Sequence, residues 1–184
     1  THAGGPAVML TDVLSSSGIE IPHFTGEKAE ALLSKLFPGS STANPIDFLA
    51  TGTASQLGYI LDACENDFDT DAVVVIFGNP GLTTTYDVYD VLYDKIKNST
   101  KPIYPVLPSI VNSADEIKYF QSKGEISFSD EVVLGSALAK VINKPRYNEN
   151  ISLPPVDKTT IRSIIDSAGN GYLSPDKVQA LLDS

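Results

Sequence analysis

Asp71-Ala72-Val73-Val74-Val75-Ile76-Phe77-Gly78-Asn79-Pro80-Gly81 is the stretch that decides the fold. Its apolar run, rich in β-branched side chains and without polar alternation, reads as a strand buried on both faces. The Gly-Asn-Pro-Gly punctuation behind it closes the strand in a turn. A strand of this kind needs helices above and below it. The flanking sequence supplies them on both sides.

Upstream, Met9, Leu10, Val13 and Leu14 recur at helical spacing, and Ile19–Ile21 reads as a short strand. Leu32, Leu33, Leu36 and Phe37 mark a second helix, Ile46–Leu49 a strand, and Leu57, Ile60, Leu61 and Cys64 a further helix face. Downstream, Val88, Leu92 and Ile96 give a helix and Ile103–Leu107 a strand. Ile117 with Phe120, then Ile126–Phe128, then Val133 to Ile142 complete the last cycle. Thr53 with Gln56 and Ser113 with Glu116 have capping-box spacing. Ser129 is expected as an N-cap ahead of Asp130 and Glu131, and Gly124 as a left-handed helix stop. Strand–helix alternation at this spacing predicts an α/β fold, a parallel sheet with helices on both faces.

The pattern fails from Asn143 to Lys158, where Lys144-Pro145 and Pro154-Pro155 flank a polar stretch. This reads as a semi-rigid linker over 144–158. Ile161, Ile164 and Ile165, then Val178, Leu181 and Leu182, predict a helical hairpin over 159–184, with Ser174-Pro175 opening its second helix. The α/β domain is expected to occupy 1–143. The hairpin is too small to fold alone and must pack on something.

Thirteen basic against 23 acidic residues give a net charge of −10, which disfavours nucleic acid and anionic membrane surfaces as partners. An anionic ligand would need local help from backbone amides. The single cysteine, Cys64, excludes an internal disulfide and reads as a small core residue. No stretch reaches the ~20 apolar residues of a membrane span and no signal peptide is present, so a cytoplasmic protein is expected. The chain opens on Thr1 without an initiator methionine, and truncation before that point is expected.

Ligands of open parallel sheets sit beyond the carboxyl ends of the strands. Four loops are expected there: Gly4-Gly5-Pro6, Asp47 to Ser55, Gly78-Asn79-Pro80-Gly81, and the turn after Leu107. In the second, Asp47 ends a strand, Gly52 frees the backbone, and Thr53-Ala54-Ser55 open a helix with unpaired amides. That terminus can hold a phosphate. The same residues can also do no more than make a tight strand-to-helix turn.

Thr1-His2-Ala3-Gly4-Gly5-Pro6 resembles the T-N-A-G-G-P loop of ADP-forming acyl-CoA synthetases. Asn44-Pro45-Ile46-Asp47 is similar to their N-P-V-D motif, and Asp71 to Ile76 to their V-D-A-V-L-V-I strand. Gly171-Tyr172-Leu173-Ser174 with Leu181-Leu182 resembles the element leading into their ATP-grasp domain. The likeness runs in order over nearly the whole chain. In that family, related to succinyl-CoA synthetase, one domain holds CoA, another carries a phosphorylated histidine, and an ATP-grasp domain phosphorylates it. The resemblance implies that this chain is the flavodoxin-like CoA-ligase domain preceding the ATP-grasp domain. By position, phosphate binding falls on Gly52, Thr53, Ala54 and Ser55, with Gly4, Gly5, Asn44 and Asp47 as loop and motif support. The whole enzyme would use CoA and ATP with Mg. The fragment alone would carry no catalytic residue and hold no cofactor stably.

The implied partners are the CoA-binding/phosphohistidine domain and the ATP-grasp domain, with a homodimer left open. His2 stands where the family has asparagine and reads as a departure in a loop, not as the nucleophile; His23 reads as a surface residue. Asp166 to Lys177 partly fits a calcium loop, but Ala168 and Lys177 replace two anionic ligands, so no metal is expected. Tyr86, Tyr89 and Tyr93 recur on one helix, either covering the sheet edge or forming a docking face. Two rival readings remain: a regulatory or scaffold module of a synthetase-like protein acetyltransferase, and a free-standing flavodoxin-like binding protein. The first helix begins almost at once, so the strand that should precede it is missing. A sheet edge or gap that another chain can fill is the consequence.

Overall fold

A computed structural model describes residues 1–79, 84–144 and 155–184. The chain forms two compact units, 1–144 and 145–184. At the centre of the first unit, β1 (Val73–Ile76) and β2 (Ile103–Val106) pair in parallel, Val73 opposite Ile103 and Ile76 opposite Val106. The expected two-sided burial is visible residue by residue. Val73, Val75 and Phe77 face one apolar cluster with Ile103 and Leu107, while Val74 and Ile76 face the other with Tyr104 and Val106.

The first face is covered by α2 (Glu27–Leu33), α3 (Ala54–Asn66), α4 (Tyr86–Asn98) and α5 (Ala114–Ser122). Leu57, Tyr89, Leu92 and Phe120 fill the layer. The second face is covered by α1 (Gly4–Ser16) and α6 (Glu131–Ile142), which pack side by side over Ile76 and Val106. Gly135 lets them approach, since a Cβ there would lie 3.0 Å from Leu10 and 3.1 Å from Val13.

The regular sheet is smaller than the sequence predicts. Among the described residues it has two strands, and a flavodoxin-like sheet is not established. Ile126–Phe128 contributes a single parallel bridge, Phe128 to Val106. Pro105 explains how β2 tolerates proline: its face toward Phe128 needs only a carbonyl, which accepts the Phe128 amide at 2.9 Å. Ile46–Leu49 makes one antiparallel bridge, Asp47 to Ser41, instead of a strand. Ile19–Ile21 has no strand assignment and makes no ladder among the described residues. Strand pairing is a non-local property, and these short segments lack neighbours long enough to register against.

Caps follow the sequence in part. Thr53 and Gln56 form the capping box at α3, and Gly124 takes φ +88° after α5. At α6 the N-cap is Asp130, not Ser129, because the Asp130 carboxylate reaches the Val133 amide at 2.8 Å. Ser113 precedes α5 but makes no cap bond, and its buried hydroxyl has no hydrogen-bond partner among the described residues. Gly4-Gly5-Pro6 is not a loop but the first turn of α1, with Ala3 as N-cap. The tyrosine stripe is split by burial: Tyr89 is fully enclosed, edge-on to Phe77 and Phe120, while Tyr86 packs edge-on to Tyr119 of α5. Tyr89 is therefore core and not part of a docking face.

The second unit holds α7 (Lys158–Asp166) and α8 (Pro175–Leu182). Asp157 caps α7 through the Thr159 and Thr160 amides, and its own amide donates to the Ser184 carbonyl at 2.8 Å. Ser174 and Pro175 open α8. None of the described side chains in this unit is buried. Lys177 folds back onto the Ser167 carbonyl at 3.2 Å, placing a cation at the twelfth position of the calcium-loop pattern. The linker expected over 144–158 lies mostly outside the described residues.

Candidate functional site at the carboxyl ends of the strands

The Thr1 main chain reaches the middle of the fold. Its amino nitrogen donates to the Ile46 carbonyl at 2.7 Å, and its carbonyl accepts the Phe48 amide at 3.0 Å. One residue on, the His2 amide donates to the Ile76 carbonyl at 3.4 Å. These bonds tie residues 1–2 between the Ile46–Phe48 segment and the end of β1. Of the candidate residues, Asp47 lies within this junction, Gly4 approaches its carboxylate and Gly52 packs on Phe48.

Asp47 is held from both sides. Its backbone bridges Ser41, with both hydrogen bonds at 2.8 Å, and its carboxylate accepts the Leu49 amide at 2.9 Å. Leu49 takes φ +68°, which the carboxylate stabilises. Gly4 keeps this approach easy, since a Cβ there would lie 3.1 Å from Asp47 Oδ2 and the carboxylate would have to give by a few tenths of an ångström. Gly5 faces open space and nothing in the packing calls for it. Asn44, with φ +70° before a cis peptide to Pro45, donates its side-chain amide to the Pro22 carbonyl at 2.9 Å. It braces the segment and faces away from the strand ends.

The reason for Gly52 differs from the one its sequence context gives. Its φ lies outside the left-handed region, so backbone freedom is not what is needed. A Cβ at this position would lie 2.2 Å and 2.5 Å from the Phe48 ring and 2.8 Å from the Phe48 carbonyl. Phe48 is only 1% exposed, so glycine is what lets the chain cross it. The turn then enters α3. Thr53 donates its amide to Gln56 Oε1 at 3.1 Å, and its hydroxyl accepts the Gln56 amide at 3.3 Å. Two first-turn amides, those of Ala54 and Ser55, have no partner among the described residues. Thr53 and Ser55 are exposed, so an anion can approach them.

His2 is 8% exposed and lies parallel to the Phe77 ring, centroids 4.5 Å apart. Its Nδ1 accepts the Gly78 amide at 3.3 Å, which places the ring proton on Nε2. Burial pushes its pKa below the usual value, so the ring is neutral near pH 7. His2 lies ahead of α1 and outside any helix or strand, and it is buried there as a packed wall of the junction. Burial also pushes the Thr1 ammonium down to about 6.

Two residues at this edge had only a loop position to announce them. Ser109, in the turn after Leu107, accepts the Asn79 amide at 2.6 Å and donates to the Asn79 carbonyl at 3.2 Å. This pair stitches the ends of β1 and β2 together. Asn79 is buried, and Gly78 is closely flanked, since a Cβ would lie 3.1 Å from Ser109 Oγ and 3.3 Å from the His2 ring. Pro80 and Gly81 of the third expected loop lie outside the described residues. Among the described residues, no cluster of three or more metal-ligating side chains exists, and no helix is long and apolar enough to cross a membrane. His23 is exposed at the mouth of a shallow groove beside Phe24 and Asp67, away from the strand ends.

The fold places the chain among mixed helix-rich domains built on a small parallel sheet. No family model matches the chain, and no curated protein matches it. Solved structures do. PH0766 from Pyrococcus horikoshii is similar over 76% of this chain, with a TM-score of 0.66 at 23% identity. The dinucleotide forming acetyl-coenzyme A synthetase 1 of Ca. Korarchaeum cryptofilum is similar over 77%, with a TM-score of 0.64 at 23% identity. That enzyme has also been solved in complex with phosphate and ADP, and the likeness is the same. This chain spans about a third of each of those chains, 33% and 31%.

Proposed function

We propose that this chain is a domain of an ADP-forming acyl-CoA synthetase, flavodoxin-like in its full sheet, acting with a CoA-binding/phosphohistidine domain and an ATP-grasp domain. The observation that supports the reading is the fold likeness over three quarters of the chain to an acetyl-coenzyme A synthetase also solved with phosphate and ADP. The order of motifs along the sequence agrees with it. The whole assembly would join an acid to CoA while converting ATP to ADP and phosphate, with CoA, ATP and Mg held by other domains.

The contribution of this chain is a phosphate cradle at the start of α3. Gly52 brings the backbone past Phe48, the capping box fixes the first turn, and Ala54 and Ser55 present free amides at the positive end of a 13-residue helix. No cationic side chain is needed, which suits an acidic surface. Asp47 is kept from the anion's path by its bond to the Leu49 amide.

Titration with inorganic phosphate, followed by amide NMR, tests the cradle. The Ala54 and Ser55 amides shift, and Ser55→Asp weakens binding at least about tenfold. That substitution favours the helix terminus while repelling an anion, so thermal stability stays equal or rises. No perturbation of the two amides would refute the cradle. Reconstitution with the two partner domains tests the wider reading: ADP release dependent on acid and CoA must require this chain.

A further inference from the structure

Asp166 to Lys177 falls short of a cation loop, but two residues at its middle carry a different chemistry. Asn170-Gly171 lies between α7 and α8. When glycine follows asparagine, the next backbone nitrogen reaches the side-chain carbonyl carbon with the least obstruction, because glycine has no Cβ. In a folded protein the pair reacts only under three conditions. The side chain must be accessible, the following amide must be free of a hydrogen bond, and the backbone must have room to turn.

Asn170 meets all three. Both residues of the pair are exposed. Neither the Asn170 side chain nor the Gly171 amide makes a hydrogen bond among the described residues. A Cβ at Gly169 or at Gly171 would meet nothing within 4 Å, so the loop is open on both sides of Asn170.

The other described asparagines fail at least one condition. Asn44 and Asn79 precede proline, whose nitrogen has no proton to lose. The amides that follow Asn66, Asn98 and Asn112 are spent on the Ala63, Lys95 and Ser109 carbonyls at 2.8, 2.9 and 2.9 Å. Asn66 and Asn98 also lodge their own side-chain amides on the Asp62 and Asp94 carbonyls. Asn143 donates its side chain to the Ser17 carbonyl at 2.9 Å, and the Lys144 amide donates to Val141. Asn148 and Asn150 lie outside the described residues.

We infer that Asn170 is a self-modification site, at which water and the chain itself convert asparagine to aspartate and isoaspartate. The Gly171 nitrogen gives its proton to solvent and bonds to Asn170 Cγ. The Cγ–Nδ2 bond breaks and ammonia leaves, closing a five-membered succinimide. Water then opens the ring. Breaking the bond from nitrogen to Cγ restores the ordinary backbone with an aspartate side chain. Breaking the bond from nitrogen to the main-chain carbonyl carbon routes the backbone through Cβ and Cγ, as isoaspartate. Nothing is oxidised or reduced. Either product adds one negative charge to an already acidic chain, and isoaspartate lengthens the turn between α7 and α8 by one atom. The inference concerns this turn alone and does not rest on the synthetase reading.

The full chain, incubated at pH 8 in water labelled with heavy oxygen, both folded and in urea, decides it. Digestion and mass spectrometry then count the label taken up at each asparagine. Asn170 converts in the folded chain within about threefold of its rate in urea, while Asn98 and Asn112 slow at least about tenfold on folding. In Asn170→Gln, whose longer side chain closes a ring less readily, the fastest-growing acidic form seen by ion exchange disappears. Slowing of Asn170 by more than about threefold on folding would overturn the inference. So would an acidic form that grows equally fast in Asn170→Gln.

Discussion

Gly52→Ala is a substitution whose sign depends entirely on tertiary contact. Position 52 has no left-handed φ, so alanine would ordinarily stabilise by about 0.4–1 kcal/mol through the unfolded chain. The methyl would, however, arrive 2.2 Å from Phe48 Cδ2 and 2.8 Å from the Phe48 carbonyl, against the ~3.5–4.0 Å of an optimal carbon contact. The ring is enclosed and the carbonyl belongs to the backbone, so neither can move cheaply. Overpacking of this kind costs about 1–3 kcal/mol, occasionally more, and outweighs the entropic gain. At roughly 2–4 °C per kcal/mol for a unit near 150 residues, Tm falls by about 4–8 °C. Calorimetry of Gly52→Ala, Phe48→Leu and the double variant measures this. Because leucine removes Cε2 and exchanges the rigid ring's Cδ2 for a methyl that can rotate away, the double variant should be less destabilised than the sum of the single changes, by about 1 kcal/mol. Gly5→Ala is the control, since its methyl meets nothing within 4 Å and should not lower Tm. An unchanged Tm for Gly52→Ala, or strict additivity with Phe48→Leu, would refute the close approach as the reason for glycine.

Cys64 is 5% exposed and burial pushes its thiol up to about 11, so a thiol reagent at pH 8 labels it only as fast as the fold opens; rapid labelling of the native protein would contradict its place on the buried face of α3. The Thr1 ammonium, lowered to about 6, and the lowered His2 imidazole both release protons on folding. The unfolded chain therefore binds more protons between about pH 6 and 8, and stability rises with pH across that window. Scanning calorimetry at the two limits should show Tm higher at pH 8 by roughly 3 °C, with N-terminal acetylation flattening the slope; a falling Tm would sink the buried placement of Thr1.

The sequence by itself determined the elements that depend on near neighbours. Val73 to Phe77 announces a strand sealed on both faces. Thr53 with Gln56 announces the start of α3, Gly124 the end of α5, and the periodicity of Leu57 to Cys64 the face α3 buries. Each of these signals is carried within about one turn of helix or one strand, where side-chain spacing and capping chemistry act directly.

Tertiary structure decided what depends on residues far apart. Ile19–Ile21 has the composition of a strand but makes no ladder among the described residues, since pairing depends on a neighbour distant in sequence. Ser129 yields its cap to Asp130, whose longer side chain reaches the Val133 amide from where the chain enters α6. Tyr89 leaves the exposed stripe because α5 packs over it. Among the candidate site residues, the loop positions of Asp47 and Gly52–Ser55 were legible in the sequence. That Gly52 answers to Phe48, that Gly4 answers to Asp47, and that His2 packs on Phe77 were not. His2 and Gly78 are 76 residues apart, and Thr1 and Ile46 are 45 apart. No local pattern encodes such contacts; they exist only once the layers have closed and each backbone must fit the side chains already there.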